Sequence, residues 1–171
     1  HIYSVLSTPR TVYTTCLDFT KNAPSDGDGY KWANNTLTLD GVHIQALDSV
    51  CGIILPAGSK IEVVSLKNNS YSSFYKHREN NAGPDEPTTD YAGYSKASNI
   101  ISCGSVDATA DVFCKGDLTI HSDASNSGED GVGLGNWLKT EQGGIKTAAG
   151  TLTVQNTNIE ASCLRAIEDI T

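Results

Sequence analysis

One short pattern recurs along the chain and restricts its folding more than any other feature. Asn35-Thr36-Leu37-Thr38-Leu39 returns as Asp117-Leu118-Thr119-Ile120 and again as Gly150-Thr151-Leu152-Thr153-Val154. Two copies also match downstream, where Leu37-Thr38-Leu39-Asp40-Gly41-Val42-His43-Ile44 aligns with Leu152-Thr153-Val154-Gln155-Asn156-Thr157-Asn158-Ile159. Each of these puts apolar residues at i, i+2, i+5 and i+7 with polar residues between. Successive side chains of a strand point to opposite faces, so the pattern describes two strands with one buried face, joined by a kink. One such unit cannot bury its apolar face alone. Stacked copies can, and no helical segment separates them. The repeat predicts an all-β chain folded as a solenoid of stacked β-coils, with an N-terminal cap and a long inserted loop.

The 171 residues suffice for one domain with its own core, so 1–171 reads as a single β-helix domain. Residues 1–28 form the cap and lead-in, because the end of a stack exposes core and strand edge unless something covers it. Tyr30 to Ile44 reads as the first clear coil, with Trp32 packed in it. Aliphatic periodicity then fails over 67–98, the inserted loop, an unusual length for an excursion inside a repeat. Shorter excursions follow at 122–128 and 137–144, and a faint helical signal lies at 160–169. A chain that opens on His1 and holds no Met reads as an excised piece of a longer, secreted protein. No apolar run nears the roughly 20 residues that span a bilayer, so no membrane insertion is expected.

Net charge is −8 and the pI about 4.8, which argues against a nucleic-acid partner, since phosphates call for clustered Lys and Arg. The five cysteines show neither a CxxC pair nor a His at zinc-like spacing. Cys51, Cys114 and Cys163 fall in apolar segments and read as small inward residues stacked along the axis. A disulfide remains the alternative in an oxidising setting, with an odd thiol left over.

Gly29-Tyr30-Lys31-Trp32, Gly52-Ile53-Ile54-Leu55-Pro56-Ala57-Gly58 and Val112-Phe113-Cys114-Lys115-Gly116-Asp117-Leu118-Thr119-Ile120 carry a family likeness. With the repeat around Asn35–Val42, they resemble the "carbohydrate-binding domain-containing" β-helix family of secreted bacterial proteins, related in fold to pectate-lyase-type enzymes. The resemblance covers residues 17–65 and 100–170. It implies that the solenoid is a right-handed parallel β-helix, and it implies an extracellular place at the bacterial cell surface, a polysaccharide or glycan partner, and calcium sites.

Two groups of residues carry candidate chemistry. Asp48, Asp111, Glu129 and Asp130 each stand just before an apolar strand segment. If those corners stack, their carboxylates lie roughly 5 Å apart, and a hard cation with oxygen ligands would relieve the repulsion. Calcium is therefore the candidate cofactor; the alternative is that these acids cap turns and face water. Asp26-Gly27-Asp28-Gly29 has the look of a calcium-loop fragment without the downstream glutamate. The second group is Tyr71, Tyr75, His77, Arg78, Tyr91 and Tyr94 of the inserted loop, together with Trp137. Aromatic faces stack on sugar rings while charged groups hydrogen-bond the hydroxyls; the alternative is a local mini-core pinning the loop to the stack.

These readings converge on a non-catalytic extracellular carbohydrate-binding or adhesion module of a bacterial surface protein. The enzymatic competitor is a calcium-dependent polysaccharide lyase, for which no paired-base motif is visible. A third reading is an adhesion module that binds a host protein such as a glycoprotein or immunoglobulin. Lys or Arg converging beside a metal in a cleft would favour the lyase. A flat strip of stacked Asn, Thr and Tyr would favour glycan binding, and outward loop aromatics in an apolar patch would favour a protein partner.

Overall fold

The alternating segments of the sequence are strands. A computed structural model describes residues 10–21, 26–47, 49–64, 99–104, 109–122 and 137–171, with the backbone alone at Arg10 and Trp137. The chain first lays down β1 (Arg10–Thr14), β2 (Leu17–Asp18), and the pair β3 (Tyr30–Ala33) and β4 (Thr36–Leu39). It continues through β5 (Val42–Ala46), β6 (Cys51–Leu55) and β7 (Ser59–Val63), then β8 (Ile100–Cys103), β9 (Ala110–Cys114) and β10 (Leu118–Ser122). β11 (Trp137–Thr140), β12 (Ile145–Thr147), β13 (Leu152–Gln155), β14 (Asn158–Glu160) and β15 (Leu164–Arg165) complete the order. There is no helix among the described residues, and the helical signal at 160–169 resolves into the end of β14, β15 and bends.

The strands form three five-stranded sheets: β1-β5-β8-β11-β14, β15-β12-β9-β6-β2 and β13-β10-β7-β4-β3, called first, second and third below. The described strands fall to them in rotation along the chain, and a bridge from Ile170 to Leu152 carries the last circuit back to the third sheet. Because each strand pairs with one laid down a full circuit earlier, every pairing is parallel except that of β3 with β4. The inward residues of all three sheets meet in one cluster. Ile44 and Ile101 of the first sheet, Ile53 and Ile145 of the second, and Leu37 and Ile120 of the third are each 0% exposed. At roughly 1.5–3 kcal/mol per fully buried aliphatic side chain, this shared core is the main favourable term.

Beside the excursion expected at 137–144, whose first four residues are strand β11, two details differ from the sequence reading. Where the sequence predicts one coil from Tyr30, the chain instead turns back at Asn34 and Asn35, with φ of 53° and 54°. A two-residue hairpin loop of the kind that matches strand twist needs positive φ at both positions, and asparagine tolerates it better than most side chains. The hairpin lays β3 along the outer edge of the third sheet, and Trp32 stacks on Phe19 with ring centroids 4.7 Å apart. Part of the capping therefore lies at Tyr30–Ala33, whereas β1 and β2 already belong to the first and second sheets.

The second difference is one of register. Leu118 and Leu152 are true partners, as are Ile120 and Val154. Leu37, however, aligns through Ile61 with Ile120, two residues beyond its match in sequence. A two-residue slide keeps every inward side chain inward, so the apolar pattern cannot detect it.

Candidate binding surface

The polar residues between the apolar ones of the repeat face outward on the third sheet. Register places Thr36, Lys60, Thr119 and Thr153 in one column across β4, β7, β10 and β13, and Thr38, Glu62, His121 and Gln155 in a second. The first column extends to the last circuit, where the Thr171 hydroxyl donates to Thr153 Oγ1 at 3.2 Å. Neighbouring strands stand about 4.8 Å apart, so each column repeats a polar group at that interval. Most of these side chains are half-buried, as short groups packed side by side on a sheet are.

The centre of the strip carries charge that is satisfied internally. His121 Nδ1 lies 2.7 Å from both Glu62 oxygens, and Lys60 Nζ lies 3.1 Å from Glu62 Oε2. Glu62 is thus flanked on its own strand and on β10, while the threonine hydroxyls around it can each donate one hydrogen bond and accept others.

A second cluster sits on the first sheet, where His43 Nε2 is 3.4 Å from Ser102 Oγ and 3.4 Å from Glu141 Oε1. Serine, histidine and glutamate are the residue types of a nucleophilic relay. Such a relay needs the serine on one ring nitrogen and the carboxylate on the other. Here both meet the same nitrogen, so the cluster holds neighbouring circuits together without that geometry.

Of the two groups of candidate metal and ligand residues named from the sequence, Asp111 alone has a described side chain. It is the second residue of β9 and fully buried. Its Oδ1 accepts the Cys103 backbone N–H at 3.0 Å and the Cys103 thiol at 3.3 Å. Its Oδ2 accepts the N–H groups of Gln142, Gly143 and Gly144 at 3.0, 2.8 and 2.9 Å. Three consecutive amides converging on one oxygen form an anion nest, filled here by the protein's own carboxylate. Asp111 is therefore a tie between two successive corners, and a cation there would have to displace those donors. Asp48, Glu129 and Asp130 lie outside the described residues, as do Tyr71, Tyr75, His77, Arg78, Tyr91 and Tyr94. Trp137 opens β11 by its backbone. Among the described residues no group of three or more His, Cys, Asp or Glu could hold a metal ion. Asp26, in the loop resembling a calcium fragment, accepts the Trp32 N–H at 2.9 Å through Oδ1.

None of the five cysteines is joined in a disulfide in this structure. Cys51 and Cys114 are buried as expected but do not stack on one another: Cys51 pairs with Ala110, and Cys114 with Leu55 and Thr147. Cys163 is a half-exposed corner residue whose carbonyl accepts the Ile145 N–H at 2.9 Å. Burial, with Cys51 nearby as a lesser cause, pushes the Cys16 thiol up to about 11.

The outward columns of the third sheet are what sequence reasoning passed over. Their signal was present in the polar members of Leu-Thr-Leu, Leu-Thr-Ile and Leu-Thr-Val, which any half-buried strand would also show. Comparison of the chain with protein-family models, with curated proteins and with solved structures gave no match.

Proposed function

We propose that the chain is a right-handed parallel β-helix serving as a non-catalytic, extracellular carbohydrate-binding module at a bacterial cell surface. Handedness follows from the rule that a strand returning to its own sheet in parallel does so by a right-handed crossover in about 98% of cases. The observation that carries the function is the two-column outer face of the third sheet. Its groups are hydroxyls, an amide, and charges that neutralise one another, set at regular spacing on a rigid support. Sugar hydroxyls both donate and accept, and threonine hydroxyls answer them in kind. The likeness to secreted carbohydrate-binding β-helix proteins points the same way.

The test compares the full chain with the Thr119→Val/Thr153→Val variant, which keeps the branched shape and removes two hydroxyls. The expected result is that the parent binds glycans on an array and that the variant, melting at the same temperature, loses about tenfold or more in affinity. A parent chain that binds no glycan, or a variant that binds equally well, would overturn the proposal.

A further inference from the structure

Resting on that glycan reading, we infer that the ligand is an uncharged, extended polysaccharide that lies along the stacking direction, across the strands of the third sheet, with one sugar ring per circuit. Three observations converge on it. The first is periodicity. Thr36, Lys60, Thr119, Thr153 and Thr171 offer one polar group per strand, at about 4.8 Å intervals. A pyranose ring in an extended chain advances by a comparable length, so a polymer on this line presents an equivalent hydroxyl to each circuit. A chain running along a strand would meet alternate residues of one circuit and lose that match.

The second observation is charge. Lys60 Nζ closes on Glu62 at 3.1 Å and His121 Nδ1 at 2.7 Å, so the one lysine at the centre of the strip is paired with the one carboxylate there. The chain as a whole carries −8. A uronate or sulfated polymer would approach an acidic protein and find, among the described residues of this face, only the paired Lys60 and Lys31 at the β3 edge rather than a cluster of Lys or Arg to neutralise it. A cationic polymer would find one carboxylate, already engaged on two sides. The third is extent. Four steps separate Thr36 from Thr171, a span of about 19 Å, enough for about five rings.

The experiment measures affinity of the full chain for a ladder of uncharged β-linked gluco- and xylo-oligosaccharides. A matching ladder of oligogalacturonates runs beside it at low and high salt. The expected result is affinity for the uncharged series that climbs with each added ring to about five and then levels, with no change on adding salt. The Glu62→Gln variant, which releases Lys60 and His121, should gain salt-sensitive binding of the oligogalacturonates. Three outcomes would overturn the inference while leaving glycan binding intact: preference of the parent for the uronates, affinity independent of chain length, or no uronate gain in Glu62→Gln. Binding of no oligosaccharide or polysaccharide would overturn the parent reading together with this one.

Discussion

A carboxylate withdrawn wholly from water is costly unless donors surround it, and Asp111 is held by four backbone N–H groups and a thiol. Asp111→Asn replaces an acceptor with an amide that must turn its NH2 toward one set of donors. It should lower stability by about 3 kcal/mol or more, read as a shift in urea midpoint at unchanged slope. The opposite case sits one circuit on. The hydroxyls of Thr140 and Thr147 are buried without a hydrogen-bond partner. Valine has nearly the same shape, so Thr140→Val and Thr147→Val should each stabilise by about 1 kcal/mol in the same assay. Cys16 supplies a pH effect. Its thiol ionises at about 11 in the folded chain against an ordinary 9.0, because burial disfavours the thiolate. The folded state therefore holds its proton longer than the unfolded state, and stability falls as pH rises from about 9 to about 11. At pH 8 Cys16 should alkylate about 100-fold more slowly than a free cysteine in the denatured chain, as mass spectrometry of the labelled peptide would show.

The corners between the second and third sheets show how one residue type does different work in like places. Gly58 and Gly150 both have positive φ, 82° and 73°. A Cβ on Gly58 would meet nothing within 4 Å, whereas on Gly150 it would fall 2.0 Å from Asp117 Oδ1. That oxygen accepts the Thr151 N–H at 2.8 Å, so it cannot retreat without losing the bond. Gly58→Ala should cost about 1 kcal/mol for backbone conformation alone, and Gly150→Ala about 2 kcal/mol more, a difference that thermal or urea unfolding resolves. These corners also explain which parts of the fold were legible. Leu118-Thr119-Ile120 and Leu152-Thr153-Val154 revealed both the inward face and their register, because the two strands are parallel neighbours. The copy at Leu37 revealed the face only, since a period of two is blind to a slide of two. The Asn34–Asn35 hairpin was legible in principle, as two turn-forming residues between alternating strands. Asp111 was noticed as an acid near a corner. Three of its partners lie 31 to 33 residues further along, a separation that no local pattern reports. The outward threonines were in plain sight and carried no distinguishing mark until register set them in columns.

A stack of circuits has no centre in the usual sense, and each circuit is stabilised by the one before it and the one after. Ile120 has Ile61 beside it on one strand and Val154 on the other, and is 0% exposed. Leu164 has Ile145 on one side, and is 37% exposed; Ile167 and Ile170 in the same circuit are 62% and 48% exposed. The same truncation should therefore have unequal effects. Ile120→Ala removes a branched side chain from a site closed on every side and should cost about 3–4 kcal/mol. Leu164→Ala, at a site already open, should cost about 1 kcal/mol. Amide exchange should show the same gradient, with protection greatest along β7 and β10 and least from β14 onward, because opening the last circuit breaks one interface and opening a middle one breaks two. If the chain instead unfolds as one indivisible unit, both variants will lower protection uniformly over all circuits. If Leu164→Ala proves as costly as Ile120→Ala, the last circuit is covered in solution, and its apolar residues belong to an interface rather than to an end.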